Sequence, residues 1–527
     1  MPNRPFRPTF PGMSDITTGA GNAPEPAAPE SVFLSGDGDE LAALWQSATL
    51  EEYAFTSAAP VVGGLVVRLR EAWNGVATKW QARPWMEQQS AFNRALAMWL
   101  AQPPGVANLD ERLVEQDRRQ TALGREIALS TARVQPSPRG RRLRLAYFSP
   151  MPPSHSGIAD YSAALLPHLA QLADVTVFAS NTLAQALNLP VASPGDYASR
   201  RAEFDIPLYQ MGNSDQHEAM YDVMVRFPGV VVLHDYVLHH FIRHHTAGRG
   251  DWTGYGREMA YAMGSNGRRL AHAVHEQRAA APLFDAPLNE RLIDASLGLV
   301  VHSEYVAERV RSRRPACRLR VIPHLVEERA GRSLRAQLGL PDRAVLFGSF
   351  GHLTAEKRID AALRAFRRVR DDHPDAHYLL VGEAQPDLDI DSLVAELEPA
   401  GAIRRIGYVR GLPEFDDWIR TVDVAVNLRQ PTVGETSGVA LRAMAAGRPL
   451  IVYDRGWYAE LPDDAALKIP PGDEEALREA MERLAASAEL RRAMGRAGRE
   501  YVRNHCHPER IARAYVDFLQ SILEPVA

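Results

Sequence analysis

A turn of small residues with one carboxylate, Gly434-Glu435-Thr436-Ser437-Gly438, follows an apolar run and opens into a predicted helix. Backbone N–H groups at a helix N-terminus attract a phosphate, and glycine lets a ligand come close to the chain. Glu435 would be repelled by that phosphate and is better placed to accept hydrogen bonds from hydroxyls. A sugar joined to a diphosphate offers both groups. The alternative is an ordinary helix capped by Thr436 or Ser437.

Two adjacent cations, Lys357 and Arg358, lie in a turn that follows the apolar run 344–350. Ligands of open α/β sheets bind at the carboxyl ends of the strands, so we expect Lys357 to reach a diphosphate in a cleft. A solvated pair at a helix start is the alternative. Both phosphate-suited segments follow strands of one predicted domain, and this coincidence favours an anion site.

The elements that would position these residues are strands alternating with helices, the pattern of parallel sheets covered on both faces. Ile359, Leu363, Phe366 and Val369 form one apolar helix stripe between the first two strands of the second series. Two such series predict an α/β protein with two Rossmann-like, doubly wound domains facing a cleft. The strands are expected at 143–148, 175–179, 206–210, 230–234, 297–302 and 319–323, then at 344–350, 378–382, 403–409, 422–428, 449–453 and 467–469.

Composition and periodicity divide the chain into five regions. Pro, Gly, Ala, Ser and Thr without periodicity predict a disordered tail at the start. The regions are a tail at 1–38, a helical extension at 39–139, a first Rossmann-like domain at 140–326, a second Rossmann-like domain at 327–505, and a C-terminal helix packing back on the body at 506–527.

The extension contains an apolar stripe with two tryptophans and basic residues elsewhere on the same helix. One interpretation is a helix docked on the catalytic body. The other is a basic helix on a membrane surface, which predicts peripheral contact with the inner face of the cell membrane. The stripe is Leu65, Leu69, Trp73, Val76 and Trp80, and the basic residues are Arg68, Arg70 and Lys79.

Composition excludes several classes of protein. A net charge of -5 over 527 residues is too small to suggest a nucleic-acid groove. Two isolated cysteines, Cys317 and Cys506, fit neither a disulfide framework nor a zinc site, so a reducing cytoplasm is expected. No signal peptide or membrane span is evident, since the apolar run 58–67 is about half of the roughly 20 residues required. The dinucleotide and phosphate-loop fingerprints are both missing from the sequence.

Several motifs, in this order, resemble those of the retaining glycosyltransferases of family 4, which have the GT-B fold. The resemblance runs from about Arg142 to the C-terminus and leaves the first 140 residues unexplained. The motifs are Ser156 to Tyr161, Leu233 to Asp235, His302 to Tyr305, Ala355 to Arg358 and Gly434 to Gly438.

The resemblance implies that 140–326 is the acceptor domain and that 327–505 is the donor-binding domain, with a site for a nucleotide sugar. Gly157, in a loop after the first strand, would lie close to the donor diphosphate. His234, ending the fourth strand, would face the donor sugar, or else is a satisfied core histidine. The other implied roles are neutralisation of the leaving diphosphate by Lys357 with Arg358, binding of the distal phosphate by the amides of Ser437, Gly438 and Val439, binding of sugar hydroxyls by Glu435, and backbone contact of Gly407, Tyr408 and Val409 with the base.

Two positions depart from the family pattern. The second glutamate that holds the ribose is Arg442 by helix alignment, or Ala443 when counted from Glu435. Glu460 is a candidate substitute, although it could equally cap the following turn. The usual arginine five residues before the lysine is His352, so Arg358 is the candidate for that charge.

These residues predict transfer of a sugar from a nucleotide diphosphate donor to a glycan or lipid-linked acceptor, with retention of configuration. The alternatives are a nucleotide-sugar epimerase of the same architecture and a non-catalytic sugar-nucleotide binding protein. No cofactor or metal is expected. The acidic cluster Asp387, Asp389 and Asp391 precedes an apparent helix from Leu393, where a solvated cap is the expected role.

Overall fold

The computed structural model describes residues 106–134, 141–180, 188–341, 343–386, 388–397 and 401–524. All of them belong to one compact unit that reaches the end of the chain. The tail 1–38 and the tryptophan stripe between Leu65 and Trp80 lie outside the described residues, so both interpretations of that stripe stay predictions. Within the described ranges, no helix is long and apolar enough to cross a bilayer.

The first sheet contains seven parallel strands in the order β3-β2-β1-β4-β5-β6-β7. Its central strands are buried on both faces, which explains their continuous apolar runs. The strands are β1 Leu143–Phe148, β2 Ala173–Phe178, β3 Val191–Ala192, β4 Ile206–Met211, β5 Val230–Leu233, β6 Gly298–Val301 and β7 Leu319–Val321.

Helices surround this sheet, and four of them form an insertion between β5 and β6. The helices are α1 Val106–Val134 in the extension, then α2 Gly157–Leu172, α3 Tyr197–Arg200, α4 Glu218–Arg226, the insertion helices α5 His239–His245, α6 Trp252–Met263, α7 Ser265–His275 and α8 Glu290–Ala295, and α9 Glu304–Arg313. Asp117 of α1 pairs with Arg291 of α8 at 2.7 Å, which ties the extension helix to the insertion.

The second sheet contains six parallel strands in the order β10-β9-β8-β11-β12-β13. The strands are β8 Val345–Phe350, β9 Ala376–Val381, β10 Ile403–Ile406, β11 Val424–Val426, β12 Leu450–Tyr453 and β13 Ala466–Ile469. The helices are α10 Ile359–Asp372, α11 Ile390–Leu397, α12 Leu412–Thr421, α13 Gly438–Ala445, α14 Glu474–Ala486, α15 Ala488–His505 and α16 Pro508–Leu523.

The predicted stripe on α10 is confirmed, since Ile359, Leu363, Phe366 and Val369 are all buried. They belong to the core between the second sheet and α14. The prediction of two doubly wound parallel sheets is therefore confirmed at the level of both topology and packing.

The last helix, α16, returns to the first domain and joins its core. Tyr515 of α16 and Tyr161 of α2 share a hydrogen bond between their hydroxyls at 2.7 Å. Leu519 and Ile522 are fully buried beside them. The second half of the chain is thus anchored on the first.

Two strand predictions are corrected by the structure. The two-residue strand β3 is too short to give a periodic signal, so His234 follows the fifth strand of the sheet rather than ending the fourth. The strand expected at 403–409 ends at Ile406, because its partner strand β9 ends at the paired residue Val381. Tyr408 and Val409 therefore lie in a loop beyond the strand.

Candidate active site

The loops at the carboxyl ends of the two sheets meet. The Val237 N–H, after β5, donates to the Val433 carbonyl, after β11, at 2.9 Å. Gly434 lies at this contact with a φ of 80°, and a Cβ there would be 2.6 Å from the Cβ of Tyr236. Glycine is therefore required both by the left-handed backbone and by the close approach of the two domains.

Strand order reverses between β8 and β11 in the second sheet. In doubly wound sheets, ligands bind in the crevice at such a switch point. The loop after β8 carries Lys357, and the loop after β11 carries Arg429. The two cations therefore flank the position where the topology places a ligand.

Lys357 lies deep in this crevice while retaining some access to solvent. Its Nζ donates to the Phe350 carbonyl at 2.7 Å. Gly351 has a φ of 80°, and a Cβ there would lie 3.0 Å from the Lys357 Nζ, so a side chain would displace the amine. Burial and the nearby Arg429 lower the pKa of Lys357 to about 7, against an opposing effect of Glu435.

Glu435 is held by residues of its own turn and by Arg429. Its Oε2 accepts from the Thr432 hydroxyl at 2.7 Å and from the Val433 N–H at 2.9 Å. Its Oε1 lies 2.6 Å from Nε of Arg429. A carboxylate accepts at about four lone-pair positions, so hydroxyls of a ligand can still donate to it. Its predicted role as a reader of sugar hydroxyls stays a prediction.

Arg429 was not identified from the sequence. The available signal was a cation directly after the apolar run 422–428, at the same sheet edge as Lys357. Glu435 raises the pKa of Arg429 in spite of burial, so the guanidinium stays charged.

The helix after the Gly-Glu-Thr-Ser-Gly turn begins at Gly438, with Ser437 as its N-cap. The Ser437 hydroxyl accepts from the Ala440 N–H at 3.2 Å and from the Asn427 side-chain amide at 3.0 Å. The capping role that the sequence offered to Ser437 is thus present. The first-turn amides of Gly438 and Val439 have no acceptor within the helix, as is general for a helix start, and are available to an anion.

The first domain contributes a cluster of buried histidines. His234 Nε2 lies 2.8 Å from Oε1 of Gln210, and its Nδ1 lies 3.3 Å from Nε2 of His302. Burial, reinforced by His302 and His324, lowers the pKa of His234 well below its usual value, so the ring is neutral. Both ring nitrogens have protein partners, as the core-histidine alternative expects. A contact of His234 with the donor sugar stays a prediction.

Asp235 was also missed, although it follows His234 directly. Its Oδ2 accepts from the Asn213 N–H at 2.8 Å. Burial, with Glu435 as the second cause, raises the pKa of Asp235 to about 6, against the opposing effects of the Asn213 amide and Arg429. A carboxylate of the first domain thus faces the charged pair of the second.

The loop after β1 leads to Gly157, which is the first residue of α2 rather than part of a loop, because Ser156 caps the helix there. A Cβ on Gly157 would meet nothing within 4 Å, so the space beside it is open. His155, just before, stacks on Tyr408 of the second domain with ring centroids 4.6 Å apart. Val409 is partly buried against the core of the second domain.

The residues at the two positions that depart from the family pattern, and their candidate substitutes, contact other protein groups. Arg442 pairs with Asp416 of α12 at 3.1 Å, and Arg358 pairs with Asp360 at 3.2 Å. Glu460 is indeed a cap, but of α9 in the first domain rather than of the following turn. Its carboxylate accepts from the N–H groups of Glu304 and Tyr305 at 3.1 and 2.6 Å. The assignment of Glu460 to the ribose stays a prediction.

The acidic cluster after β9 contains a helix cap, as expected. Asp389 accepts from the Ser392 N–H at 3.0 Å and from the Ser392 hydroxyl at 2.6 Å, just before and within α11. Asp387 lies outside the described residues. No group of three or more His, Cys, Asp or Glu side chains suited to a metal ion occurs in the part of the chain that the structure describes.

Residues 342–487 match the family model of the Glycosyl transferases group 1. The chain is 27% identical over 189 residues to the exopolysaccharide phosphotransferase SCO2592 of Streptomyces coelicolor, covering 35% of this chain and 19% of that protein. It is 30% identical over 174 residues to the 2-deoxystreptamine glucosyltransferase of Streptomyces kanamyceticus, covering 32% of this chain and 44% of that protein. The chain thus spans less than half the length of either relative.

Among solved structures, HepE of Anabaena in complex with UDP superposes with a TM-score of 0.53 at 13% identity, covering 72% of this chain and 100% of HepE. At this identity the likeness concerns the fold. Together with the two parallel sheets, it confirms the GT-B fold.

Proposed function

We propose that this chain, in which a glycosyl transferases group 1 domain forms the second half of a GT-B fold, transfers a sugar from a nucleotide diphosphate donor to an acceptor with retention of configuration. The observation that carries the proposal is the position of Lys357 at the switch point of the second sheet, close to the start of α13: a Cβ on Gly351 would lie 3.0 Å from the Lys357 Nζ and 3.5 Å from the Val439 Cγ2. A leaving diphosphate requires positive potential at that location.

The proposed chemistry is a front-face displacement. The bond between the anomeric carbon and the distal phosphate oxygen breaks, and its electron pair stays on that oxygen. The acceptor oxygen forms a bond to the same face of the carbon, and its proton passes to the departing phosphate. Lys357 and the amides of Gly438 and Val439 stabilise the charge that develops, so the protein acts by positioning and electrostatics. We propose that no metal ion takes part.

The donor base is proposed as uracil, because HepE was solved with UDP. A saccharide acceptor, either a glycan or a lipid-linked sugar, is the proposed partner, and the glucosyltransferase similarity supports a sugar-transfer chemistry. Retention and membership of family 4 rest on the motif resemblance, in which Lys357 and Glu435 match the family pattern.

A panel of nucleotide sugars tests the proposal by thermal stabilisation of the full chain, followed by release of nucleoside diphosphate with saccharide acceptors. A ligand at 100 times its dissociation constant adds about 2.7 kcal/mol to the free energy of unfolding. Transfer with retained configuration, seen in the coupling constant of the anomeric proton of the product, is the expected result. Conversion of the donor without acceptor indicates an epimerase, and binding without any turnover indicates a non-catalytic protein.

A further inference from the structure

We propose that Arg429 is a second catalytic cation, which binds the distal phosphate of the donor together with Lys357 and exchanges its contact with Glu435 for the phosphate. This assignment rests on the proposed function and names a residue that the family motifs do not identify. It supplies the charge for which Arg358 was the candidate, since Arg358 is paired with Asp360.

The first argument is topological. β8 and β11 are neighbours in the sheet, paired through Phe347 with Val424 and Gly348 with Ala425. Their carboxyl ends therefore lie side by side, and Lys357 and Arg429 leave the sheet on either side of the switch point. A ligand that fills the crevice meets both.

The second argument is the hydrogen bonding of the pair. Arg429 Nε and Glu435 Oε1 lie 2.6 Å apart. These two atoms are buried, and neither atom makes a well-directed hydrogen bond within the part of the chain that the structure describes. Buried polar atoms in proteins are almost always hydrogen-bonded, so such a pair requires an explanation. A ligand oxygen that accepts from Arg429 while its sugar hydroxyls donate to Glu435 satisfies both atoms at once.

The third argument is the supply of donors. A guanidinium carries five N–H donors, more than one carboxylate oxygen can use. The Arg429 side chain retains 24% exposure, against 12% for Glu435. The fork of an arginine matches two oxygens of one phosphate, which is the geometry that an ammonium group such as that of Lys357 does not offer.

The fourth argument is the charge balance around the crevice. Glu435 compensates Arg429 in the absence of donor, and Arg429 in turn disfavours a proton on Lys357. A diphosphate brings negative charge to both cations, so Lys357 becomes fully charged beside Arg429, which is charged throughout. The negative charge of the shared ligand thus offsets the repulsion between Lys357 and Arg429.

The test is calorimetric binding of UDP and UMP to the full-length protein, since the two ligands differ only in the distal phosphate. We expect Arg429→Gln to lower the preference for UDP over UMP by roughly 10- to 100-fold, the effect of losing a hydrogen bond to a charged group. Arg429→Lys should recover part of that preference. Arg455 follows β12 at the same edge of the sheet and is exposed, so Arg455→Gln is the matched control and should change neither affinity.

Glu435→Gln separates contact from positioning. If Arg429 binds phosphate, removal of the opposing carboxylate should leave UDP affinity unchanged or raise it, and should weaken the intact UDP-sugar. If Arg429 only positions Glu435, Arg429→Gln will weaken the UDP-sugar with no change in the UDP-to-UMP ratio, and the assignment is overturned. A wild-type protein that binds no nucleoside diphosphate overturns the proposed function, whereas an unchanged UDP-to-UMP ratio in Arg429→Gln of a protein that binds UDP overturns this assignment alone.

Discussion

Basic side chains follow the carboxyl ends of strands in both sheets: histidines in the first sheet, and a lysine and an arginine in the second. The two edges nevertheless differ in charge. At the first, burial lowers the pKa of His302 to about 4 and that of His324 to about 3, so these rings are neutral at physiological pH. At the second, Arg429 stays charged beside Glu435. No carboxylate is among the main influences on the two histidines, whereas Glu435 compensates the cations of the second edge.

The difference in charge between the two edges suits a ligand that is charged at one end only. The neutral imidazoles of the first edge do not attract an anion, whereas the second edge combines cations with Glu435, the predicted reader of sugar hydroxyls. Under the proposed function, we therefore expect the diphosphate to bind at the second domain.

The strongest test of this contrast is to remove a charge from the cationic edge. Lys357→Ala should lower turnover by roughly two orders of magnitude, the effect of losing one preorganised group that stabilises developing charge. Lys357→Arg should retain more activity because it restores the charge. Steady-state kinetics on variants that still unfold cooperatively measure the effect. Unchanged turnover in Lys357→Ala would remove Lys357 from the leaving-group site.

A pH series sharpens the comparison above about pH 7, where Lys357 of the second edge titrates while Asp235 of the first edge, with its pKa raised to about 6, is already ionised. Burial and the nearby Arg429 lower the pKa of Lys357 to about 7, and a bound diphosphate favours its charged form. Binding then takes up a proton above that pH, so UDP affinity should fall about tenfold per pH unit between roughly pH 7.5 and 9. Calorimetry at each pH measures the slope. Lys357→Arg should flatten it, and an equally steep slope in that variant would contradict the assignment.

The smallest expected effect is that of metal removal. We expect Lys357, Arg429 and the amides at the start of α13 to provide the positive potential for which other enzymes use a divalent cation. Activity should therefore be unchanged in excess chelator, and Asp389→Ala should also be silent. Loss of transfer on chelation, restored by magnesium or manganese, would show that the cationic edge is insufficient by itself.

The sequence was most informative where a local pattern carried the information. Alternating apolar runs are produced by strands buried on both faces, so both sheets were predictable. Lys357 and the turn at Glu435 were recognisable because each combines a strand end with a helix start. The apolar stripe of α10 follows from helical periodicity alone.

The remaining features depend on contacts that are distant in the chain. The partner of Glu460 lies 156 residues earlier, on a helix of the other domain, and no local pattern encodes that distance. Arg429 is one arginine among many, and only its place at the switch point distinguishes it. The end of β10 was misplaced because it is set by the length of its partner β9, not by its own sequence.

The contact between Glu460 and the start of α9, which joins the two domains, responds differently to sequence change on its two sides. Its donors are the main-chain N–H groups of Glu304 and Tyr305, which every residue except proline possesses. Side chains at those two positions are therefore free to vary without loss of the bond, while the acceptor depends on one side chain. Substitution of Glu304 or Tyr305 therefore leaves this hydrogen-bonded contact in place, whereas substitution of Glu460 removes it.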